Sequence, residues 1–240
     1  MVITTLNSEI RTQAAAAARP QLRFLIMAYF FSSVLSEGGQ LFNVSNPSPA
    51  DAYFVLASGL GSLLLYFVIS ASLNKGYANS MLKIVDGQRA VVSDLFNVGR
   101  DFWRSFAAVL VVFIKTLLWF LLFIFPAFIA YYKYILTFYV LNERSDLSGA
   151  QCVRESARLM KGNKAKLFRL LIIYVLMAAA VSIVSYFLFL GIIKLTLPNV
   201  IESNVENVAS VISVTLAGVM YGIKANPAIA KFYRLVSAGE

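Results

Sequence analysis

FAAVLVVFIKTLLWFLLFIFPAFIAYYKYILTFYVL, residues 106–141, is apolar almost throughout and is interrupted by one proline, Pro126. As a single helix rising ~1.5 Å per residue it would far overshoot a hydrocarbon core of ~30 Å. Two helices turning at Pro126 fit, because proline has no backbone N–H to donate and disfavours helical geometry in the residue before it. The stretch therefore reads as a hairpin with spans over 106–125 and 127–141. Each arm barely crosses, or the turn lies slightly below the far surface.

The rest of the chain agrees with that class. Of 240 residues, 59% are hydrophobic and 14% charged, whereas soluble domains are nearer ~25% charged. A bundle in lipid needs this much apolar surface, so the fold class expected is an all-α polytopic transmembrane helix bundle. Histidine is absent and Cys152 is the one cysteine. That excludes an internal disulfide, a Ser-His or Cys-His pair and a histidine metal site. No metal, cofactor or catalytic residue is expected.

Taken in order, Met1 to Arg19 is weakly amphipathic and ends in the alanine run Ala14–Ala18. A first span is expected over 22–42; a cleaved signal peptide ending near Val34-Leu35-Ser36 is the competing reading. Asn46-Pro47-Ser48-Pro49 marks a turn before a second span over 52–73. The connection 74–105 carries Lys75, Lys83, Arg89, Arg100 and Arg104. Within it Ser93 or Asp94 suits a helix cap, and Phe102 and Trp103 stand where an interfacial aromatic belt belongs. After the hairpin, Ser148-x-x-Gln151 has the form of a capping box and Gly162-Asn163 of a helix stop. Between them Ala150, Val153, Ala157 and Met160 recur at helical spacing, with Arg154, Arg158 and Lys161 on another face. This predicts a basic amphipathic helix able to lie on a membrane surface. Lys164, Lys166 and Arg169 extend the charge to a fifth span over 170–193. A sixth follows over 207–223, then a basic tail with Lys224, Lys231 and Arg234.

Charge sets the orientation. All of the 21 basic residues except Lys115, Lys133 and Lys194 fall in the N-terminus, the second and fourth connections or the tail. Glu37, Asp51, Glu202 and Glu206 fall in the alternate connections. Positive segments stay on the cytoplasmic side. Six spans with both termini cytoplasmic are expected, in a bacterial plasma membrane.

Several motifs between about Tyr77 and Leu176 carry a family likeness: Ser93-Asp94-Leu95-Phe96, Trp119 ahead of Pro126, Phe138-Tyr139-Val140-Leu141 and, above all, Ser156-Ala157-Arg158-Leu159-Met160-Lys161-Gly162-Asn163-Lys164. Pro227 and Phe232-Tyr233 extend it toward the C-terminus. On these the chain resembles the bacterial membrane family called domain of unknown function 975. That family usually has Pro-Gly at the hairpin turn, where this chain has Pro126-Ala127, so the resemblance does not imply a tight turn. It implies an integral membrane architecture and supplies no catalytic residue.

Three sets of residues stand out. Lys115 and Lys133 lie within the hairpin, eleven positions before and seven after Pro126, which predicts that both occupy the outer half of the bilayer. An isolated membrane lysine costs ~2.5–3.5 kcal/mol on insertion scales, and no Asp or Glu occurs inside any expected span but for Glu37, toward the end of the first. Lys133 snorkels among Tyr131, Tyr132 and Tyr134 while Lys115 bonds to carbonyls or hydroxyls, or the pair holds an anionic lipid group. Trp119 either adds a cation–π contact to Lys115 or simply faces lipid. The second set, Arg154, Arg158, Lys161, Lys164, Lys166 and Arg169, fixes topology on inner-leaflet phosphates or docks a partner. The third set, Gly59 and Gly61 with Gly218 and Gly222, reads as close helix packing, within one chain or between copies. This packing reading is preferred over a Ser58 or Ser62 dyad with Lys115.

The missing intramembrane acids disfavour an ion-coupled transporter. The function expected is that of a non-catalytic accessory, scaffold or protective membrane protein; a small transporter or channel component is the alternative. Its expected partners are the bilayer, anionic phospholipid headgroups, and a membrane protein or second copy, with no nucleic acid.

Overall fold

The computed structural model describes residues 2–37, 52–96, 101–122, 124–196 and 202–239. These residues form helices and connecting turns without a strand. The helices are α1 (Asn7–Ala18), α2 (Leu22–Glu37), α3 (Ala52–Val85), α4 (Ser93–Phe96), α5 (Phe102–Leu122), α6 (Ile124–Tyr134), α7 (Thr137–Glu143), α8 (Gly149–Leu159), α9 (Lys164–Thr196) and α10 (Glu202–Ala238). A 3-10 turn, Arg19–Gln21, joins α1 to α2.

The molecule has two unlike ends. At one, a dense core brings together Ile10 and Leu25, Met81 and Ile84 from the end of α3, Leu136 and Leu141, Met160 and Leu167, and Phe232 near the end of α10, all fully buried. The other end is open and apolar. On α5, Leu117, Leu118, Trp119, Phe120 and Leu121 are exposed. On α9 the same holds for Leu176, Val184, Phe187, Leu188 and Leu195. A soluble protein rarely presents contiguous apolar surface on this scale, whereas acyl chains would cover it.

Three helices among the described residues are long and apolar enough to cross a membrane: Phe102–Leu121, Lys164–Thr196 and Val208–Ala238. That is fewer than the six that hydropathy alone predicts. The expected span at 22–42 falls partly outside the described residues and the turn Asn46–Pro49 wholly so, whereas 52–73 lies within α3. The expected span at 127–141 is not one helix. It is divided at Ile135–Leu136 into the eleven-residue α6 and the seven-residue α7. Among the described residues α5 runs to Leu122 and α6 from Ile124. Pro126 thus stands in the first turn of α6, where its missing N–H has no intrahelical acceptor to lose.

The break in the return arm is held by side chains. Thr137 Oγ1 donates to the carbonyl of Tyr134 at 2.7 Å, and Ser156 Oγ of α8 donates to the carbonyl of Lys133 at 3.1 Å. Carbonyls released when a helix stops need such partners once buried.

Two predicted connections are corrected. The span at 52–73 and part of the basic segment after it form one continuous helix, α3. The basic tail is likewise helical, as the second half of α10, with Pro227 inside it. Both extensions bury an apolar face in the dense end, so neither needs lipid to remain helical.

Candidate functional site

Segments far apart in sequence meet at the dense end through polar contacts. Asn163 Oδ1 accepts from the Ile3 N–H at 3.0 Å, and Lys166 Nζ donates to the Ile3 carbonyl at 2.7 Å. Gln21 donates to the Gln88 carbonyl at 2.7 Å and accepts from the Ala90 N–H at 2.8 Å. Asp101 pairs with Lys75 at 2.6 Å and with Arg104 at 3.0 Å. Arg104 also donates to the carbonyls of Leu147 and Arg144. Arg234 pairs with both Asp86 and Glu143, while the Tyr233 hydroxyl donates to Glu143 at 2.7 Å. The N-terminus, the two basic connections and the end of α10 are therefore one assembly.

On this assembly α8 is built as its local sequence predicts. Ser148 Oγ accepts from the Gln151 N–H, the Gln151 side chain accepts from the Ser148 N–H, and Gly162 takes a φ of 85° beyond the C-terminus. Its apolar face is not free to lie on a membrane, which corrects that expectation. Cys152, Val153, Ser156 and Met160 are buried against the protein's own helices. The close fit rests on Gly149, where an added Cβ would lie 2.2 Å from the Arg104 carbonyl oxygen. What α8 offers outward is charge. Arg154, Arg158 and Lys161 are exposed, and Arg158 pairs with Glu155 at 2.6 Å. That pairing holds the Glu155 carboxyl below its ordinary range. Arg169 is also exposed, whereas Lys164 and Lys166 are half-buried and Lys166 is committed to Ile3.

The hairpin lysines converge on one ring. Lys115 Nζ lies 5.7 Å and Lys133 Nζ 5.5 Å from the Tyr134 centroid. The cation–π partner of Lys115 is thus Tyr134, while Trp119 is 42% exposed on the apolar surface. The Lys133 carbonyl accepts a hydrogen bond from Ser156 of α8. Tyr134 also lines a cavity of about 230 Å³ with Tyr77, Tyr131, Tyr139, Tyr221 and Asn226.

The glycines divide. A Cβ at Gly218 would stand 1.9 Å from Tyr29 Oη, and one at Gly222 would stand 2.4 Å from Tyr29 Cδ2, so the ring of α2 lies across both. At Gly59 and Gly61 no described atom comes within 4 Å of such a Cβ.

Sequence reading passes over a third cationic place. Arg11, Arg19 and Lys224 share the rim of a groove between α1, α9 and α10. Arg11, Ala15, Arg19 and Leu22 do stand at helical spacing, but only the tertiary structure adds Lys224.

No family model, curated protein or solved structure matches the chain.

Proposed function

We propose that the protein is a non-catalytic integral membrane protein of a bacterial cytoplasmic membrane that binds anionic lipid at its basic end and holds a membrane-protein partner there. Six crossings, with both termini and the dense end in the cytoplasm, belong to this reading, as does membership of the family called domain of unknown function 975. One observation carries it. The dense end joins the segments richest in Lys and Arg, leaves Arg154, Lys161 and Arg169 exposed, and gives way directly to exposed apolar helix surface. A base near an anionic leaflet contributes ~1 kcal/mol to attraction.

Purification in mild detergent, with identification of bound lipids and proteins, tests the reading. Enrichment of anionic over zwitterionic phospholipid is the expected result. Equal recovery of both would remove its lipid part. Orientation is tested in a Cys152→Ser background, where Lys161→Cys should react with an impermeant thiol reagent only from the cytoplasmic side.

A second reading, a small transporter or channel component, draws on the divided return arm beside the tyrosine-lined cavity. Discontinuous helices often line substrate paths in transporters. Solute flux into liposomes containing only this protein would favour it.

A further inference from the structure

The groove bordered by α1, the Arg19–Gln21 turn, α9 and α10 has a volume of about 640 Å³. Arg11, Arg19 and Lys224 line it, and no carboxylate does among the described residues. Nη1 of Arg11 is buried and has no hydrogen-bond partner among the described residues. None of these three cations has an ion-pair partner among those residues. Elsewhere at the same end several bases are paired: Lys75 with Asp101, Lys83 with Asp94, Arg144 with Asp146 and Arg234 with Asp86. In the groove three bases share one space with no counter-charge among the described residues. A buried guanidinium nitrogen without an acceptor is unfavourable, and three like charges around one space repel. An anion in the groove relieves the repulsion among these charges.

The remaining walls show what kind of anion. Leu22, Ile173, Met177 and Ile223 supply apolar surface. On α9 this runs from Ile173 to Met177, and the neighbouring Val175 and Leu176 are exposed in the apolar belt. A small soluble anion would use the cations and leave this wall empty. A lipid uses both, its phosphodiester on the guanidinium forks and one acyl chain along α9 toward the belt. Resting on the lipid-binding reading above, we propose that this groove is a dedicated site for one anionic phospholipid, held by Arg11, Arg19 and Lys224, with its chain against Ile173, Met177 and Ile223.

The test uses the full chain in nanodiscs of phosphatidylcholine doped with phosphatidylglycerol, with bound phosphatidylglycerol counted by native mass spectrometry. Combining Arg11→Gln, Arg19→Gln and Lys224→Gln should weaken retention at least about tenfold, since each base near a lipid surface contributes severalfold. Arg144→Gln should leave it within about twofold, because that base stands outside the groove and is already neutralised by Asp146. Met177→Trp keeps every charge, fills the chain's path and should weaken retention too. Circular dichroism and size-exclusion elution establish that each variant is folded. Wild-type preference for phosphatidylglycerol that survives the groove substitutions overturns the site while leaving the general reading in place. A wild-type protein with no preference overturns that reading itself. Full retention by Met177→Trp overturns the acyl-chain path.

Discussion

Arg234 on α10 and Asp86, just beyond α3, lie 148 positions apart and form a two-point ion pair, with Arg234 Nε 2.9 Å from Asp86 Oδ1. The remaining guanidinium nitrogen turns to Glu143 at the end of α7. One side chain thus ties three helix ends together, about one-third exposed to solvent. Planar five-donor geometry explains why arginine, not lysine, stands there.

Arg234→Ala should leave two carboxylates facing each other and lower stability by ~1–3 kcal/mol. Thermal unfolding in detergent micelles measures it. Arg234→Lys should recover only part of the loss, because an ammonium cannot meet both acids with paired hydrogen bonds.

Gly149→Ala should destabilise by ~1–3 kcal/mol, the cost of forcing extra volume into packed surroundings. Its Cβ would lie 2.2 Å from one backbone atom of α5 and 2.8 Å from another. Gly191→Ala provides the contrast. That glycine lies inside α9, five residues before its end, with nothing within 4 Å, so alanine should be neutral or stabilise by up to ~1 kcal/mol through helix propensity. Paired melting curves would show opposite signs.

Asn163→Ala should release the N-terminal arm. It removes the acceptor for the Ile3 N–H and the donor to the Leu159 carbonyl. Hydrogen exchange at Ile3 should accelerate by about tenfold, equivalent to ~1.4 kcal/mol of lost protection. The exchange rate of the α10 core, around Phe232, should change much less.

Acid should loosen the contact between α3 and the start of α5. The hydrogen bond from Lys75 holds the Asp101 carboxyl below its ordinary range against the next-largest effect, burial, with a smaller downward share from the hydrogen bond of Arg104. Because the folded value is depressed, this stabilisation is complete above the unfolded value of about 3.9 and disappears as pH falls through the lower folded value. Wild type should therefore unfold at a higher temperature than Asp101→Asn at neutral pH. The two should converge below about pH 4.

Locally encoded features were legible in the sequence. Apolar runs announce helices for lipid, Ser148 and Gln151 announce the start of α8, and Gly162 its end, since each signal acts within a few residues of itself. The exposed bases of α8 follow from the same 3.6-residue period. Helix lengths at the dense end were not legible. Hydropathy finds what lipid covers, whereas α3 and α10 continue because other helices cover them. The break at Ile135–Leu136 was hidden for a related reason: its carbonyls are satisfied by Thr137 and by Ser156, twenty-three positions after Lys133.

The sequence by itself determined the class, an all-helical chain made largely for a nonpolar surrounding, because that follows from composition and period. Tertiary structure alone decided which charges are neutralised and which remain. Arg234 finds its acids through the approach of α3, α7 and α10, while Arg11, Arg19 and Lys224 are drawn around a groove that no described acid lines. Pairing is a property of distance in space, and no count of residues along the chain contains it.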